Sequence, residues 1–254
     1  MEVLRLPNGR EVDQLNAAET SLMYRNIFTD RCYLKHGVEL RPGGTVFDVG
    51  ANVGIASLFF HWDCAGQRVY AFEPSPSCHA ALAANFGRHA VLGKAFGFGL
   101  SDHPHRATLC HYPHVTAMTS LYADIGYDTG LTRMFLANSG FDATDIELMI
   151  AGRHVQQAIP CRLRTASEVI AEENIEIVDL IKINVEKAEC DVLAGLSDRD
   201  WPKVRQVVVQ MHDMAGRLAT MRSDFERRGF TVTTDQDPLL AGTDIYEMFA
   251  IRTE

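Results

Sequence analysis

The chain carries the glycine loop Asp48-Val49-Gly50-Ala51-Asn52-Val53-Gly54 between an apolar run at 45–47 and an apolar stretch of helical length at 55–62. A strand, a tight glycine turn and a helix in this order bring backbone N–H groups against a small polar ligand. A second apolar run at 68–72 ends in Glu73. An acidic residue at the tip of the second strand is where a ribose diol is usually held. The sequence therefore predicts a nucleoside-containing cofactor.

The middle of the loop separates two classes of nucleoside cofactor. A dinucleotide-binding loop would carry glycine where this chain has Asn52, because glycine lets the backbone approach a pyrophosphate. A nucleoside with an amino-acid tail suits the loop better, since Asn52 can donate to a carboxylate and Asp48 can receive an ammonium group, directly or through water. We therefore expect S-adenosylmethionine, with S-adenosylhomocysteine as the product, held also by Gly50, Gly54 and Glu73. A tight turn without a ligand is the alternative for the loop alone.

Composition excludes several classes of partner. The 24 basic and 33 acidic residues give a formal net charge of −9, which leaves little for counterion release, so nucleic acid is not expected. The six cysteines are scattered without a C-x-x-C pair, as is typical of free thiols in a reducing cytosol. No apolar run approaches the roughly 18 residues of a membrane span and no signal peptide is visible. We expect a cytoplasmic protein that does not bind membranes.

The order of elements predicts an α/β protein with one core. Residues 1–40 are predicted to form an N-terminal helical lid segment, and residues 41–254 the core, with a lid insertion at about 107–160 that starts with a hairpin over 107–112 and continues as helix to Ile150. Strands are predicted at 45–49, 68–72, 91–97, 178–184 and 204–211, and an antiparallel pair at 230–234 and 245–251. A mainly parallel sheet closed by a late hairpin favours a methyltransferase-like fold over a nicotinamide-binding one.

The chain resembles the FkbM-type methyltransferases over about residues 45–252. The segments that carry this resemblance occur in the order typical of that family: 48–54, 70–76, 99–102 and 179–186. Within the family, the chain is most similar to the O-methyltransferase domains embedded in modular polyketide synthases, on five further stretches: 19–28, 116–124, 184–187, 208–213 and 236–243. One position departs from that branch, because Gln210 stands where an acidic residue is usual.

The resemblance implies a class I, Rossmann-like methyltransferase fold with a mainly parallel seven-stranded sheet, a C-terminal antiparallel hairpin and a helical lid. It implies methyl transfer from S-adenosylmethionine to a hydroxyl, expected to be the β-hydroxyl, of a polyketide intermediate on the phosphopantetheine arm of an acyl carrier protein. A freestanding FkbM-type enzyme acting on a sugar or macrolide hydroxyl is the second hypothesis. A non-catalytic, cofactor-binding docking domain is the third, and Gln210 is its best support.

Two residues are the catalytic candidates. His212 follows the predicted strand 204–211, where α/β sheets gather their sites, and its ordinary pKa of about 6.5 would leave it free to accept a proton. Glu186 follows the strand 178–184 and would orient His212 or act as a second base. The alternative is a purely structural role, in which its carboxylate stabilises the N-terminus of the next helix.

Further contacts to the cofactor or substrate are expected at the ends of other strands. Asn184 is expected to contact cofactor or substrate, and Ser101 or Asp102 to meet the adenine amine. Asp179, Glu186 and His212 are residue types that can bind a divalent metal ion. Asp179, however, lies at the opposite end of its strand from Glu186, so no metal is expected.

Overall fold

The computed structural model describes residues 1–253. Its strands are β1 Glu2–Arg5, β2 Glu11–Gln14, β3 Thr45–Val49, β4 Arg68–Phe72, β5 Gly93–Phe96, β6 Gly99–Leu100, β7 His105–His111, β8 Gln157–Arg164, β9 Leu180–Ile183, β10 Gln206–His212, β11 Phe230–Asp235 and β12 Ile245–Arg252. Its α-helices are α1 Ala17–Tyr24, α2 Ile55–Asp63, α3 Pro76–Arg88, α4 Ile125–Asn138, α5 Ala143–Ile150, α6 Ala166–Glu172, α7 Glu189–Ala194 and α8 Arg217–Arg227. A π-helical segment, Arg25–Thr29, continues α1.

Seven strands form the central sheet, in the order β11-β12-β10-β9-β3-β4-β5. Strand β12 is antiparallel to both of its neighbours, and the other pairs are parallel. The predicted mainly parallel sheet with a late antiparallel hairpin is therefore confirmed. The middle strands are covered on both faces, which explains why all four residues of β9 are buried and why their sequence is almost continuously apolar.

Helices pack on both faces of this sheet. Helices α6, α7 and α8 cover one face around Ile170, Val192 and Phe225. Helices α2 and α3 cover the other face around Phe59 and Leu82, and the residues after α1 extend that layer. The carboxyl ends of β3, β4, β9 and β10 consequently meet at one edge between the two layers, which is where ligands bind in open α/β sheets.

Two parts of the chain differ from the predicted elements. The segment 1–40 begins with the antiparallel hairpin β1–β2 rather than with helix, because Asn8-Gly9 supplies a tight turn with Gly9 at φ 83°. The predicted hairpin over 107–112 is wrong: β7 is one strand, paired antiparallel with β8. With β6 these strands form a separate three-stranded sheet, and helices α4 and α5 lie in the chain between β7 and β8.

The structure also bears on the composition-based expectations. All six cysteines are free, as predicted. No helix among residues 1–253 is both long enough and apolar enough to cross a membrane.

Candidate active site

A cavity of about 370 Å³ opens at the carboxyl edge of the central sheet. Helix α1 and the segment between β7 and α4 border it on the side away from the sheet. Five of the residues predicted from the sequence line this cavity: Gly50, Asn52, Glu73, Asn184 and Glu186. The structure thus brings the ends of β3, β4 and β9 together around one space.

Gly50 allows two strand ends to approach each other closely. Its φ is +76°, and a Cβ atom at this position would lie 1.8 Å from the carbonyl oxygen of Asn184. No other residue type fits, because both the backbone conformation and the space exclude a side chain. Gly54 instead starts α2, at φ +92° and with Leu82 packed against it, and it does not line the cavity.

Glu73 is held in place by the glycine loop that it faces. Its carboxylate accepts hydrogen bonds from the backbone N–H of Asn52 at 2.9 Å and of Ser75 at 2.8 Å. Burial raises the pKa of Glu73 to about 7, and these two N–H donors offset part of that rise. A carboxylate so fixed at the end of β4 presents its remaining acceptor capacity to the cavity.

Asp48 does not face the cavity. It is fully buried and accepts hydrogen bonds from Ser57 Oγ at 2.6 Å and from Lys182 Nζ at 2.8 Å. Lys182, the residue that interrupts the apolar strand β9, also donates to the carbonyl oxygen of Gly50 at 2.9 Å. The ion pair therefore fastens the glycine loop to β9, and the Asp48 carboxylate is occupied rather than free for an ammonium group.

Asn52 links the loop to the residues that cover it. Its Nδ2 donates to Thr116 Oγ1 at 3.0 Å, and Thr116 Oγ1 in turn donates to Glu19 Oε2 at 3.0 Å. Burial raises the pKa of Glu19, while N–H donors from Ala117 and Thr116 oppose the rise. This chain of hydrogen bonds joins α1, the segment between β7 and α4, and the glycine loop. The side-chain amide of Asn52, predicted to donate to the cofactor, therefore donates to a residue of the protein.

His212, the base that the sequence predicts, lies in a buried cluster with two carboxylates. It is the last residue of β10, only 1% exposed. Its Nδ1 lies 3.2 Å from Glu189 Oε1, and its Nε2 lies 3.4 Å from Glu186 Oε2 without hydrogen-bond geometry. Burial alone would lower the pKa of His212, but these two carboxylates outweigh burial and raise it to about 10. This shift favours the protonated imidazolium, which has no lone pair free to accept a proton, and so disfavours His212 as the base.

Glu186 is the carboxylate that reaches the cavity from this cluster. The backbone takes left-handed φ values at Glu186 (50°) and Lys187 (78°), a conformation that costs energy in residues with side chains and is found at functional sites. Residues of α4 and of the segment before it support this conformation: Ser120 Oγ donates to the carbonyl oxygen of Glu186, and Lys187 Nζ binds Asp128 at 2.6 Å. Glu186 follows its strand in a loop and precedes α7, which begins at Glu189.

The remaining predicted contacts divide between the cavity and its surroundings. Asn184 lines the cavity and donates its backbone N–H to Val49. The segment 99–102, where adenine contacts are expected, lines the cavity with Gly99 and Leu100. Ser101 is buried, and its Oγ donates to Oδ1 of the exposed Asp102.

Asp179 and a surface group of potential metal ligands do not line the cavity. Asp102, His103 and His105 cluster on the surface. Asp179 precedes β9 and binds Arg41 at 2.7 Å, so it lies at the opposite end of the strand from Glu186.

Several polar residues of the site were not predicted as site residues. Lys182, Glu19 and Thr116 belong to the networks above, and the cavity is also lined by Gln210 and Glu247. Three of them carried a signal, because a lysine in β9 and a glutamate and a glutamine in strands β12 and β10 interrupt otherwise apolar runs. Glu19 and Thr116 interrupt no apolar run, and their only signal was that each begins a stretch that carries the resemblance, 19–28 and 116–124.

Comparison with known proteins agrees with this geometry. The family described as "Methyltransferase FkbM domain" matches residues 48–232. The chain is 46% identical over its whole length to 31-O-demethyl-FK506 methyltransferase FkbM of Streptomyces tacrolimicus, of which it covers 98%. It is also 39% identical over 97% of its length to AMB antimetabolite synthetase AmbE of Pseudomonas aeruginosa PAO1, but spans only 12% of that protein.

A solved structure shares the fold. The crystal structure of methyltransferase FkbM from Methylobacillus flagellatus KT matches with a TM-score of 0.50 at 14% identity, covering 91% of this chain and 54% of that one. The family match covers more than half of the chain, and the first relative corresponds to it from end to end. The chain therefore belongs to the FkbM methyltransferase family and is a methyltransferase with a Rossmann-like fold.

Proposed function

We propose that this enzyme transfers a methyl group from S-adenosylmethionine to a hydroxyl of a polyketide-type acceptor, and that Glu186 accepts the hydroxyl proton. The observation that carries the proposal is the placement of Glu186 on the cavity wall, beside the buried His212–Glu189 pair. We also propose that the reaction needs no metal ion.

The residues on the β3–β4 side of the cavity fit the cofactor. Glu73 is fixed by two backbone N–H groups and retains acceptor capacity for ribose hydroxyls. Leu100 and Leu163 offer an apolar wall of the kind that adenine prefers. When bound, S-adenosylmethionine supplies an electrophilic methyl group on a sulfonium. In this arrangement Asp48 and Lys182 act on the loop that would touch the cofactor rather than on the cofactor itself.

The acceptor oxygen must lose a proton while it gains the methyl carbon. A carboxylate in hydrogen-bond reach of the hydroxyl takes that proton, which typically contributes about 10²–10⁴ in rate. Glu189 is completely buried and neutralises the His212 imidazolium, so the carboxylate of Glu186 adds a net negative charge at the cavity. We assign Glu186 as the catalytic base, and His212 as a positioning residue that attracts the Glu186 carboxylate electrostatically across 3.4 Å.

Two acceptors are compatible with this chemistry. The relative from Streptomyces tacrolimicus matches end to end, and its name states 31-O-demethyl-FK506 as its substrate. This favours the hydroxyl of a finished polyketide product. The β-hydroxyl of an intermediate bound to an acyl carrier protein is the second candidate, favoured by the match to a segment of the much longer synthetase.

A direct comparison of acceptors tests the proposal. The purified enzyme is incubated with S-adenosylmethionine and either 31-O-demethyl-FK506 or a carrier protein loaded with a β-hydroxyacyl phosphopantetheine, each with and without chelator. We expect the mass gain of one CH₂ group on the free compound, unchanged by chelator and abolished in Glu186→Gln. The matched control is Glu226→Gln, an exposed glutamate on α8. Methylation confined to the carrier-bound chain would favour the second acceptor, and methylation of neither would refute the proposal.

A further inference from the structure

One wall of the cavity carries a polar pair that the proposed chemistry does not use. Gln210 on β10 and Glu247 on β12 stand directly opposite each other in the antiparallel register, and both line the cavity. Side chains at directly opposed positions on one face of such a pair are neighbours, about 5 Å apart at Cβ. The amide and the carboxyl group therefore form a single polar patch.

Glu247 lacks the partners that a buried carboxyl group normally has. It is 8% exposed, and its Oε2 has no hydrogen-bond partner among the described residues. The basic side chains that act on its pKa, Lys35 and His36, lie 3.9 Å and 3.1 Å from Asp235. Burial raises the pKa of Glu247 to about 7. A buried polar group without a partner is costly and rare. A carboxyl group of this kind in a residue that lines the cavity indicates a ligand that donates to it.

The donor comes from the acceptor rather than from the cofactor. The strand order places β10 and β9 between β12 and the glycine loop at the end of β3. Three strand spacings correspond to about 14 Å. Gly50 and Glu73, which fit the cofactor, are thus on the other side of the cavity from Glu247.

The two side chains together match the hydrogen bonding of an alcohol. A hydroxyl donates one hydrogen bond and accepts others, a carboxylate only accepts, and a carboxamide also donates through its NH₂ group. We infer that Gln210 and Glu247 form a subsite for a second hydroxyl of the acceptor, which donates to Glu247 and accepts from the Gln210 amide. The inference rests on the proposed function, in which the cavity takes a hydroxyl-bearing acceptor. A second carboxylate at position 210 would instead favour an ammonium group.

Fragment binding tests the subsite without turnover. Butylene glycol, its monomethyl ether, butanol and the matching amino alcohol are titrated into the enzyme complexed with S-adenosylhomocysteine. Ligand-observed NMR gives the affinities, and isotope-labelled glutamine reports the Gln210 amide. The variants are Glu247→Gln, which keeps the shape of the side chain, and Gln210→Glu. Glu226→Gln serves as the control.

Above pH 7, where Glu247 is ionised, we expect the diol to bind at least about tenfold more tightly than the ether, as one hydrogen bond to a charged group implies. We also expect it to shift the Gln210 amide signal. Glu247→Gln should reduce the preference, because a carboxamide oxygen still accepts a hydrogen bond but carries no charge, and Gln210→Glu should transfer it to the amino alcohol. No preference in the wild-type protein, or a preference undiminished in Glu247→Gln, would overturn the subsite. Methylation without diol preference would refute the subsite alone, whereas diol preference without methylation would refute the proposed function alone.

Discussion

The protonation state of His212 can be tested through its effect on stability. The pKa of His212 is raised from 6.5 to about 10 in the folded protein. Between these two pH values the folded state binds a proton that the unfolded state has released. The stabilisation is therefore fully present below pH 6.5 and is lost as the pH rises to about 10. At about 1.4 kcal/mol per pKa unit, the stabilisation lost between these pH values is at most about 5 kcal/mol. This value is an upper limit, because the proton binds to the cluster of His212, Glu186 and Glu189 and not to His212 alone.

The assay compares the wild-type protein with His212→Gln. Urea unfolding at closely spaced pH values gives the free energy of unfolding of each protein. Other groups that titrate at alkaline pH are common to both proteins and cancel in the difference. We expect the advantage of the wild-type protein over His212→Gln to shrink steadily above pH 6.5. In the control His111→Gln no such slope is expected above pH 6.5. Burial lowers the pKa of His111, so this side chain is neutral in the folded and in the unfolded protein at those pH values.

A spectroscopic titration gives the same quantity directly. The ring signals of His212 in an isotope-labelled sample should report an imidazolium well above pH 7. A midpoint close to 6.5, or unfolding curves of wild type and His212→Gln that run parallel, would refute the assignment of His212 as a buried cation and restore it as a possible base.

Three further predictions concern other polar residues of the site. Glu247→Gln should stabilise the unliganded protein by up to about 3 kcal/mol above pH 7 and by nothing near pH 4, because a pKa raised from 4.5 to about 7 means that folding disfavours the charged form; equal unfolding free energies of the two proteins at alkaline pH would contradict this. Lys182→Met should destabilise the fold by about 3–5 kcal/mol through the unpaired Asp48, and adding Asp48→Asn should recover part of the loss; additive effects in urea unfolding would contradict the ion pair. Thr116→Val should weaken cofactor binding, measured by calorimetry, because it cuts the link between Asn52 and Glu19; an unchanged Kd would show that the link does not position the loop.

The local sequence was sufficient for the central sheet. The loop from Asp48 to Gly54 and the apolar run around Ile181 have patterns that only a buried strand and a tight turn satisfy, and both occur where predicted. The missed strand β8 also had a local signal, since Cys161 and Leu163 are buried and alternate with exposed or half-buried arginines. The Asn8-Gly9 turn was a further overlooked signal.

The chemistry of the site was less predictable because it depends on contacts between distant residues. Asp48 looked free until the register of β3 and β9 placed Lys182 beside it. His212 looked like a neutral base because nothing near it in the sequence shows that Glu186 and Glu189 meet it from another strand end. The side chain of Glu186 became the better candidate only when the cavity wall was known.

The central claim is that Glu186 removes the proton from the acceptor hydroxyl. Its most direct test is kcat of Glu186→Gln, measured beside the calorimetric Kd for S-adenosylmethionine and with Glu226→Gln as the control. We predict a fall in kcat of about 10²–10⁴ with an unchanged Kd. A kcat within about threefold of wild type would contradict the account, because the loss of a general base costs far more. A Kd for S-adenosylmethionine that weakens in parallel with kcat would also contradict it.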